Sequence, residues 1–424
     1  MKRFSRILAV AVVAVMALSL ALGTGALAQE KKTLNVWHLW TTESDANAKS
    51  FNIVLKQWQE LHPDVEVVID ATENEAYKTK LKTAMAANEV PDVFFAWGGG
   101  FAKPFVEAGQ VLALDDYLAD GTKDRLLGGA LDNVTYGGKT YGLTFIQWVG
   151  TLYCNKEMFD ANGVKIPTTN DELLAAVAAF KAKGIVPFTV GAKDGWPAMF
   201  YQNVYAVRTA GAKLSNEALS GASTFNVPEF VQSAKYLDDL VKAGAFDPGA
   251  LALTYDEAKI PFLSGQVPMI YQGSWLAGEI QDPALSQVVD KVVAVNWPTI
   301  ADGKGEATEI LGGAIDSLMV SNNAKDKDLA VEFVKYITEN MSRESFKLGA
   351  GIATWKIDMT GITVSPLVQN IIDFASKSTA SVLAWDTYLS GEAAERHKSL
   401  VQEIFAGQLT PENFAVEMEK LQQP

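Results

Sequence analysis

The chain has 424 residues, of which 48% are hydrophobic and 20% charged, and a formal net charge of −14. This is the composition of an ordinary globular protein, and its length accommodates two domains of about 100–200 residues each. Because an acidic surface repels phosphate backbones and anionic lipids, we expect binding neither to nucleic acid nor to a membrane surface.

The N-terminus has the pattern of a secretory signal peptide over residues 1–28. Lys2, Arg3 and Arg6 precede an apolar run from Ile7 to about Ala21, which is too short to cross a bilayer, and the small residues Ala26 and Ala28 follow it. No cysteine stands directly after this run, so we expect no lipid anchor. The sequence predicts a periplasmic or secreted protein that is exported with cleavage after Ala28.

Strand and helix patterns alternate along the rest of the chain. Apolar periodicity predicts strands at 34–39, 65–69 and 93–96, with helices at 44–61 and 77–87 between them. Strands separated by helices of this length indicate a parallel sheet with helical crossovers. Further strands are predicted at 186–190, 269–271, 292–295 and 315–320. Capping signals predict helices that begin at Thr169 and at Pro228.

Residue patterns for catalysis and for cofactors are missing. The histidines His38, His62 and His397 are too scattered to suggest a metal cluster, and the glycines at 98–100 lack the residues that complete a phosphate-binding loop. The single cysteine, Cys154, lies in an apolar stretch and is predicted to be a buried, unreactive thiol. We therefore expect no cofactor, no metal and no enzymatic activity.

Ten tryptophans are the most informative residues of the chain. Trp37, Trp58 and Trp297 lie in apolar elements and are predicted to pack internally. The other seven lie at strand ends or in turns: Trp40, Trp97, Trp148, Trp196, Trp275, Trp355 and Trp385. Ligands of open α/β sheets bind at the carboxyl ends of strands, and an indole can cover the flat face of a sugar ring. Several of the seven are therefore predicted to line one cleft, the alternative for each being a place in the core or on the surface.

An ordered series of motifs runs through nearly all of the mature sequence. They are LNVWH at 34–38, YK-KL at 77–81, PDVFFAW at 91–97, AGQVLAL at 108–114, YGL at 141–143, LYCNK at 152–156, MI--GSW at 269–275 and GG at 312–313. The series resembles the family 1 extracellular solute-binding proteins of carbohydrate ABC importers, which include maltose- and oligosaccharide-binding proteins. Relatives usually have tyrosine where Cys154 stands.

The resemblance implies an α/β fold of the type II periplasmic-binding-protein kind, with two α/β lobes joined by a hinge of crossing segments. We place these crossings near 147–149, near 290 and near 323. The first lobe is then predicted to comprise 29–147 plus 291–323, and the second lobe 148–290 plus 324–424.

The resemblance also implies a ligand-binding site between the lobes. Relatives have aromatic residues in the cleft where Trp97, Trp196, Trp275 and Trp385 stand here. Position along the chain adds Trp40, Thr41, Gly98, Trp148, Gly312, Trp355 and Asp386, the last as a partner for the polar edge of a sugar. The segment 94–109, with its three glycines, resembles the oligosaccharide-binding branch of the family, which implies an oligosaccharide ligand and in particular a xylo-oligosaccharide.

The sequence thus predicts a monomer that captures a neutral oligosaccharide by stacking and hinge closure and delivers it to membrane permease subunits. Two alternatives stay open. An exported lyase or glycosidase would bring two carboxylates together in the cleft and release products. A binder of peptides or amino acids would need buried charges that complement the ammonium and carboxylate groups of its ligand.

Overall fold

The computed structural model of the protein describes residues 31–389 and 391–422. The predicted signal peptide, residues 1–28, lies outside these residues. Over the described ranges, none of the helices combines the length and the apolar character needed to cross a membrane.

The strands of the described chain are short except for two. They are β1 (Lys32–His38), β2 (Val65–Ala71), β3 (Val93–Trp97), β4 (Thr135–Tyr136), β5 (Lys139–Thr140), β6 (Gly142–Asn155), β7 (Met269–Gly273), β8 (Val292–Val295), β9 (Ile310–Val320), β10 (Ile352–Ala353) and β11 (Ser381–Val382).

Helices occupy most of the chain between these strands. They are Ala46–Leu61, Asn74–Ala87, Lys103–Glu107, Lys156–Asn162, Asn170–Lys181, Trp196–Thr209, Gly211–Leu219, Pro228–Lys242, Tyr255–Leu263, Leu276–Gln281, Lys327–Lys347, Pro366–Ala375, Trp385–Tyr388, Gly391–Phe405 and Pro411–Lys420.

Local sequence signals set several helix boundaries. The predicted capping box before the helix Asn170–Lys181 is formed, with the Thr169 hydroxyl and the Glu172 carboxylate each accepting a backbone N–H of the other residue. The helix Pro228–Lys242 begins at its proline as predicted, and the chain turns at Gly244, which has φ 71°. These signals act within a few residues, so they are readable without the fold.

Strands β1, β2 and β3 form the parallel part of the main sheet. β1 lies between β2 and β3 and pairs in parallel with both, which confirms the predicted crossover arrangement. β9 then pairs antiparallel with β3, and β6 pairs antiparallel with β9. The carboxyl ends of β1 and β3 therefore lie at the same edge of the sheet.

The two long strands, β6 and β9, connect two groups of strands. β6 pairs with β9 as far as Val149 and with β7 from Gly150 onward, and its last residues also pair with β8. β9 pairs with β11 through Ile310 and Leu311, and with β6 and then β3 from Gly312 onward. We call the group around β1, β2 and β3 the first lobe and the group around β7, β8 and β11 the second lobe. The predicted crossing near 147–149 lies where β6 changes partners.

Two segments lie on the opposite side of our predicted boundaries. β8, which was expected in the first lobe, pairs with the second-lobe end of β6, and Trp297 packs edge-to-face on Tyr271 of β7. The helix Lys327–Lys347, which was expected in the second lobe, packs on the helix Ala46–Leu61 of the first. The reason is that β9 starts in the second lobe, five residues before the strand predicted at 315–320, and passes to the first lobe near Gly312. The chain then returns to the second lobe between the helix Lys327–Lys347 and β11.

The strand predicted at 186–190 does not form. Only Phe188 makes isolated bridges, to Phe246 and to Met269. Pro187 has no backbone N–H and cannot donate to a neighbouring strand, so an apolar run here becomes a buried extended segment.

Three of the predicted packing residues are buried as expected. Trp58 and Trp297 are among the largest fully buried side chains, and Cys154 is a free, buried thiol whose pKa is raised by burial. Trp37 differs, since it is only half-buried and lies under the Lys80 ammonium, 4.1 Å from the ring centroid.

Candidate functional site

A cavity of about 470 Å³ lies between the two lobes. The first lobe contributes the loop after β1, the start of the helix Asn74–Ala87 and the end of β3. The second lobe contributes the residues around Trp196, Tyr255 and Trp275. The cavity therefore lies outside the carboxyl ends of β1 and β3, where ligands of open α/β sheets bind.

The first-lobe wall of the cavity is built on Phe95. Trp40 meets the Phe95 ring edge-to-face at 5.6 Å, and Trp97 meets it edge-to-face at 4.9 Å. Each indole is 8% exposed, so only a small part of each ring is accessible. Because both rings are locked by packing, little side-chain entropy remains to be lost when a ligand binds.

The second-lobe wall is a larger aromatic cluster. Trp148 stacks on Phe200, with ring centroids 5.2 Å apart and planes 6° apart, and Trp275 lies 5.4 Å from Trp148. Trp196 lies 5.0 Å from the ring of Tyr255, whose hydroxyl accepts a 3.1 Å hydrogen bond from the Trp275 indole N–H. These contacts fix the orientation of the indoles that face the first-lobe wall.

Lys78 and Asp386 form a buried ion pair on the cavity wall. The Lys78 ammonium lies 3.0 Å from the Asp386 carboxylate and 2.8 Å from that of Glu75, and it sits 5.0 Å over the Trp97 ring. Burial lowers the pKa of Lys78, but Asp386 and Glu75 outweigh it and hold the pKa above its ordinary value. Asp386, which was predicted to meet a sugar edge, thus also connects the second lobe to the first.

Lys259 has a similar environment on the second lobe. Its ammonium lies 2.7 Å from Asp256 and 2.9 Å from Glu279. Burial lowers the pKa of Lys259, but the charges of Glu279 and Asp256 outweigh this effect, so the pKa lies above its ordinary value. Both buried lysines of the cavity are therefore neutralised by two carboxylates each.

Asp45 and Asp316 are two of the carboxyl groups that line the cavity without a lysine within ion-pair distance. Asp45 caps the helix Ala46–Leu61 by accepting the N–H groups of Asn47 and Ala48, and burial raises its pKa. Asp316 belongs to β9, and burial together with the charge of Asp45 raises its pKa to about 7. At neutral pH, Asp316 is therefore present in both protonation states.

The structure brings seven of the eleven predicted site residues together in this cavity. They are Trp40, Thr41, Trp97, Trp148, Trp196, Trp275 and Asp386. The other four, Gly98, Gly312, Trp355 and Trp385, do not line it.

The two glycines lie where the backbone packs closely. A Cβ atom on Gly98 would lie 2.2 Å from the carbonyl oxygen of Asn133. Gly312 has φ 137°, and a Cβ atom there would lie 2.3 Å from the carbonyl oxygen of Trp148. Glycine is therefore required where β9 changes lobes beside β6.

Trp355 and Trp385 are fully buried, each inside one lobe. The Trp355 indole donates a 2.8 Å hydrogen bond to the Thr144 carbonyl on β6. Trp385 packs between Phe225 and His397, with centroid distances of 5.1 and 4.9 Å. Both were predicted at strand ends or in turns, but Trp355 makes an isolated bridge to Leu126 and Trp385 begins the helix Trp385–Tyr388, so each indole packs into its own lobe.

Several lining residues were missed by the sequence analysis. The aromatic ones are Phe95, Phe145, Phe200 and Tyr255, and the charged ones include Asp45, Lys78, Lys259 and Asp316. Asp316 carried a usable signal, since it is a lone charge within the apolar strand predicted at 315–320. Tyr255 and Phe200 carried none, because they are ordinary helix residues until the fold places them beside the indoles.

Metal binding finds no support in the part of the chain that the structure describes. No group of three or more histidine, cysteine, aspartate or glutamate side chains there is arranged to hold a metal ion. His38 is buried and its Nδ1 accepts the backbone N–H of Trp40, and burial lowers its pKa to about 4. It is a neutral structural residue beneath the first-lobe wall.

Comparison with known proteins identifies the family. Residues 43–344 match the family model described as bacterial extracellular solute-binding protein. The chain belongs to this family. The resemblance proposed from the sequence motifs is thereby confirmed.

Solved structures and curated relatives agree with this assignment. A structure from work on xylan utilisation by the thermophilic bacterium Caldanaerobius polysaccharolyticus is 45% identical, covers 92% of this chain and 99% of its own, and superposes with a TM-score of 0.88. A chitin oligosaccharide binding protein is 30% identical over 93% of this chain and 98% of its own, with a TM-score of 0.86. The multiple sugar-binding protein of Streptococcus mutans is 25% identical, covering 72% of this chain and 70% of its own.

These matches confirm the predicted fold class, the α/β type II periplasmic-binding-protein fold. This solute-binding protein therefore combines a two-lobed scaffold with an aromatic cavity at the junction of the lobes.

Proposed function

We propose that this solute-binding protein is the substrate-binding component of an ABC sugar importer and captures a neutral oligosaccharide between its lobes. The observation that carries the proposal is the convergence of five indoles on one cavity, with Trp40 and Trp97 on one side and Trp148, Trp196 and Trp275 on the other. Indole faces cover the apolar faces of pyranose rings, and the carboxylates and amides between them supply partners for the hydroxyls.

The cavity size and the aromatic area fit a short oligosaccharide. Each stacked ring gains about 0.5–1.5 kcal/mol beyond the burial of apolar area. Two or three such rings together with hydrogen bonds reach the roughly −8 kcal/mol of a micromolar affinity. A xylo-oligosaccharide is our first candidate, since the relative from xylan utilisation is 45% identical and the relative that binds chitin oligosaccharides is 30% identical.

Capture is proposed to proceed by closure of the lobes. The strands β6 and β9 are shared by both lobes and are suited to act as the hinge. Ion pairs join the lobes in this structure, Lys78 with Asp386 at 3.0 Å and Glu75 with Lys398 at 2.7 Å, and opening of the cleft would break them. A sugar that touches both walls stabilises the closed state because it binds that state more tightly than the open one.

The closed form would be recognised by the membrane permease subunits of the importer. The protein would act as a monomer in the periplasm or outside the cell, after export through its predicted signal peptide. Neither a cofactor nor a chemical step is part of this proposal.

The cavity gives less support to a binder of peptides or amino acids, and the enzyme alternative needs a direct test. A peptide or amino acid needs a cation for its carboxylate, yet the buried ammonium groups of Lys78 and Lys259 are each neutralised by two protein carboxylates. A glycosidase would use a pair of carboxyl groups such as Asp45 and Asp316, which both line the cavity. Product analysis is therefore part of the test.

The test is a calorimetric titration with xylo-, cello- and malto-oligosaccharides of equal length, followed by chromatography of each mixture after prolonged incubation. We expect one binding site per chain, micromolar affinity for at least one series and no shorter products. No heat with any neutral oligosaccharide would contradict sugar binding, and the release of shorter products would show an enzyme instead of a binding protein.

A further inference from the structure

Asp316 occupies an unusual position in the cavity. It pairs across the sheet with Trp97 of β3 on one side and with Ile146 of β6 on the other, so it projects from the middle of the sheet into the cavity. In the described part of the chain, burial and the charge of Asp45 raise the pKa of its carboxyl group, and no hydrogen-bond donor of the protein lowers it. A ligand hydroxyl could therefore donate to Asp316 without displacing a protein partner.

The charges around Asp316 are unbalanced. Six carboxyl groups line the cavity, those of Asp45, Glu73, Asp194, Asp256, Asp316 and Asp386, against three lysines. Two of the lysines, Lys78 and Lys259, are already neutralised as described above, and the third, Lys193, is exposed. The cavity thus offers acceptors for hydroxyl groups but no buried cation that is available to an anion.

A ligand carboxylate in this cavity would meet like charge in a partly desolvated environment. Like charges that approach within a few ångströms near a protein interior repel strongly, because the effective dielectric constant is much lower than that of water. A neutral hydroxyl at the same place meets an acceptor instead. Asp316 can therefore accept a hydrogen bond from a ligand hydroxyl and repel a ligand carboxylate at the same place.

We propose that Asp316 is a specificity-determining residue that admits neutral oligosaccharides and rejects those that carry a uronic acid. This inference rests on the proposed function, since it concerns which sugars enter the same cavity. The proposal goes further in one respect: oligosaccharides with a uronic acid are excluded, and the side chain of Asp316 excludes them.

The experiment compares two ligands that differ only in charge. One is a xylo-oligosaccharide with a single glucuronate side group, and the other is its methyl ester, which keeps the bulk and removes the charge. Calorimetric dissociation constants are measured at pH 8, where Asp316 is ionised in the free protein. We expect the wild-type protein to bind the ester at least about tenfold more tightly than the acid, and Asp316→Asn to reduce this ratio to about twofold or less.

Two variants locate the effect. Asp160→Asn removes one negative charge from an exposed helix outside the cavity and should leave the ratio unchanged. Asp194→Asn removes a charge from the cavity wall where the carboxylate already accepts the Tyr255 N–H at 2.7 Å, and it should change the ratio less than Asp316→Asn does. An equal effect of Asp194→Asn would assign the exclusion to the overall charge of the cavity and overturn the role of Asp316.

The outcomes separate this inference from the proposed function. If the wild-type protein binds no neutral oligosaccharide, the proposed function itself fails. If it binds the unsubstituted oligosaccharide but takes the acid and the ester equally well, only the role of Asp316 fails. Binding of the neutral oligosaccharide by Asp316→Asn confirms that this variant is folded.

Discussion

Replacement of Trp275 by alanine tests the aromatic site at its most accessible indole. Trp275 is half-buried, while the other four cavity indoles are almost fully buried. Its ring lies 5.4 Å from Trp148 and 6.1 Å from Trp196, and its N–H is held by the Tyr255 hydroxyl. The indole is thus fixed in place with part of its surface open to the cavity.

The expected loss follows from this geometry. A sugar ring that covers roughly 60–80 Å² of apolar surface at about 25 cal/mol per Å² gains about 1.5–2 kcal/mol. Ring stacking adds about 0.5–1.5 kcal/mol. Trp275→Ala should therefore weaken oligosaccharide binding by about 2–3.5 kcal/mol, which is a factor of roughly 30–300 in the dissociation constant.

The assay is calorimetry on the variant beside a matched control, Trp37→Ala. Trp37 is also half-buried, but it lies on β1 under Lys80 and does not line the cavity. Both variants lose packing, so the melting temperature of each ligand-free protein is measured first and titrations are run well below it. Equal affinity of Trp275→Ala and the wild type, or an equal loss in Trp37→Ala, would refute the assignment of Trp275 to the site.

Three further predictions concern the scaffold. The pKa of Asp316 is raised from 3.8 to about 7 in the folded protein, so ionisation opposes folding and the stability of the ligand-free protein should fall as pH rises through this range. At pH 8 the full free-energy penalty for ionising Asp316 would be about 4 kcal/mol. Because water in the cavity screens the charge, Asp316→Asn should raise the free energy of unfolding in urea by only about 1–2 kcal/mol at pH 8, and this gain should disappear near pH 4. An equal gain at both pH values would contradict the burial of the carboxyl group. Trp355→Phe removes the hydrogen-bond donor to the Thr144 carbonyl and should lower the free energy of unfolding by about 1–3 kcal/mol. Sugar affinity should change less than twofold, and a large loss of affinity would show that Trp355 belongs to the binding site. Cys154 should react with a thiol-specific chromogenic reagent only after unfolding, because its thiol is buried and its pKa is raised; rapid labelling of the native protein would contradict this.

Much of the fold was predictable because its signals are local. The parallel unit of β1, β2 and β3 was readable from apolar runs separated by amphipathic helices, and helix starts were readable at Thr169 and Pro228. The positions at which the chain passes between the lobes could not be predicted in this way. They depend on how far β9 extends, and the residues Ile310–Ala314 carry no signal that distinguishes a long strand from a loop followed by a short one.

The candidate site divides in the same way. Trp40 and Trp97 could be predicted because they follow strands whose carboxyl ends share one edge of the sheet. Trp355 and Trp385 have the same kind of local sequence, yet they fold back into the interior, where Trp355 finds the Thr144 carbonyl. Whether such a tryptophan faces the cleft or the core depends on contacts with residues more than a hundred positions away, such as Thr144 for Trp355 and Phe225 for Trp385.

The central claim is that one sugar is held by indoles of both lobes at the same time. A crystal structure of the protein with a bound oligosaccharide tests it most directly. We expect sugar rings packed against Trp40 or Trp97 on one side and against Trp196 or Trp275 on the other. A sugar that contacts a single lobe, or that binds outside this cavity, would contradict it.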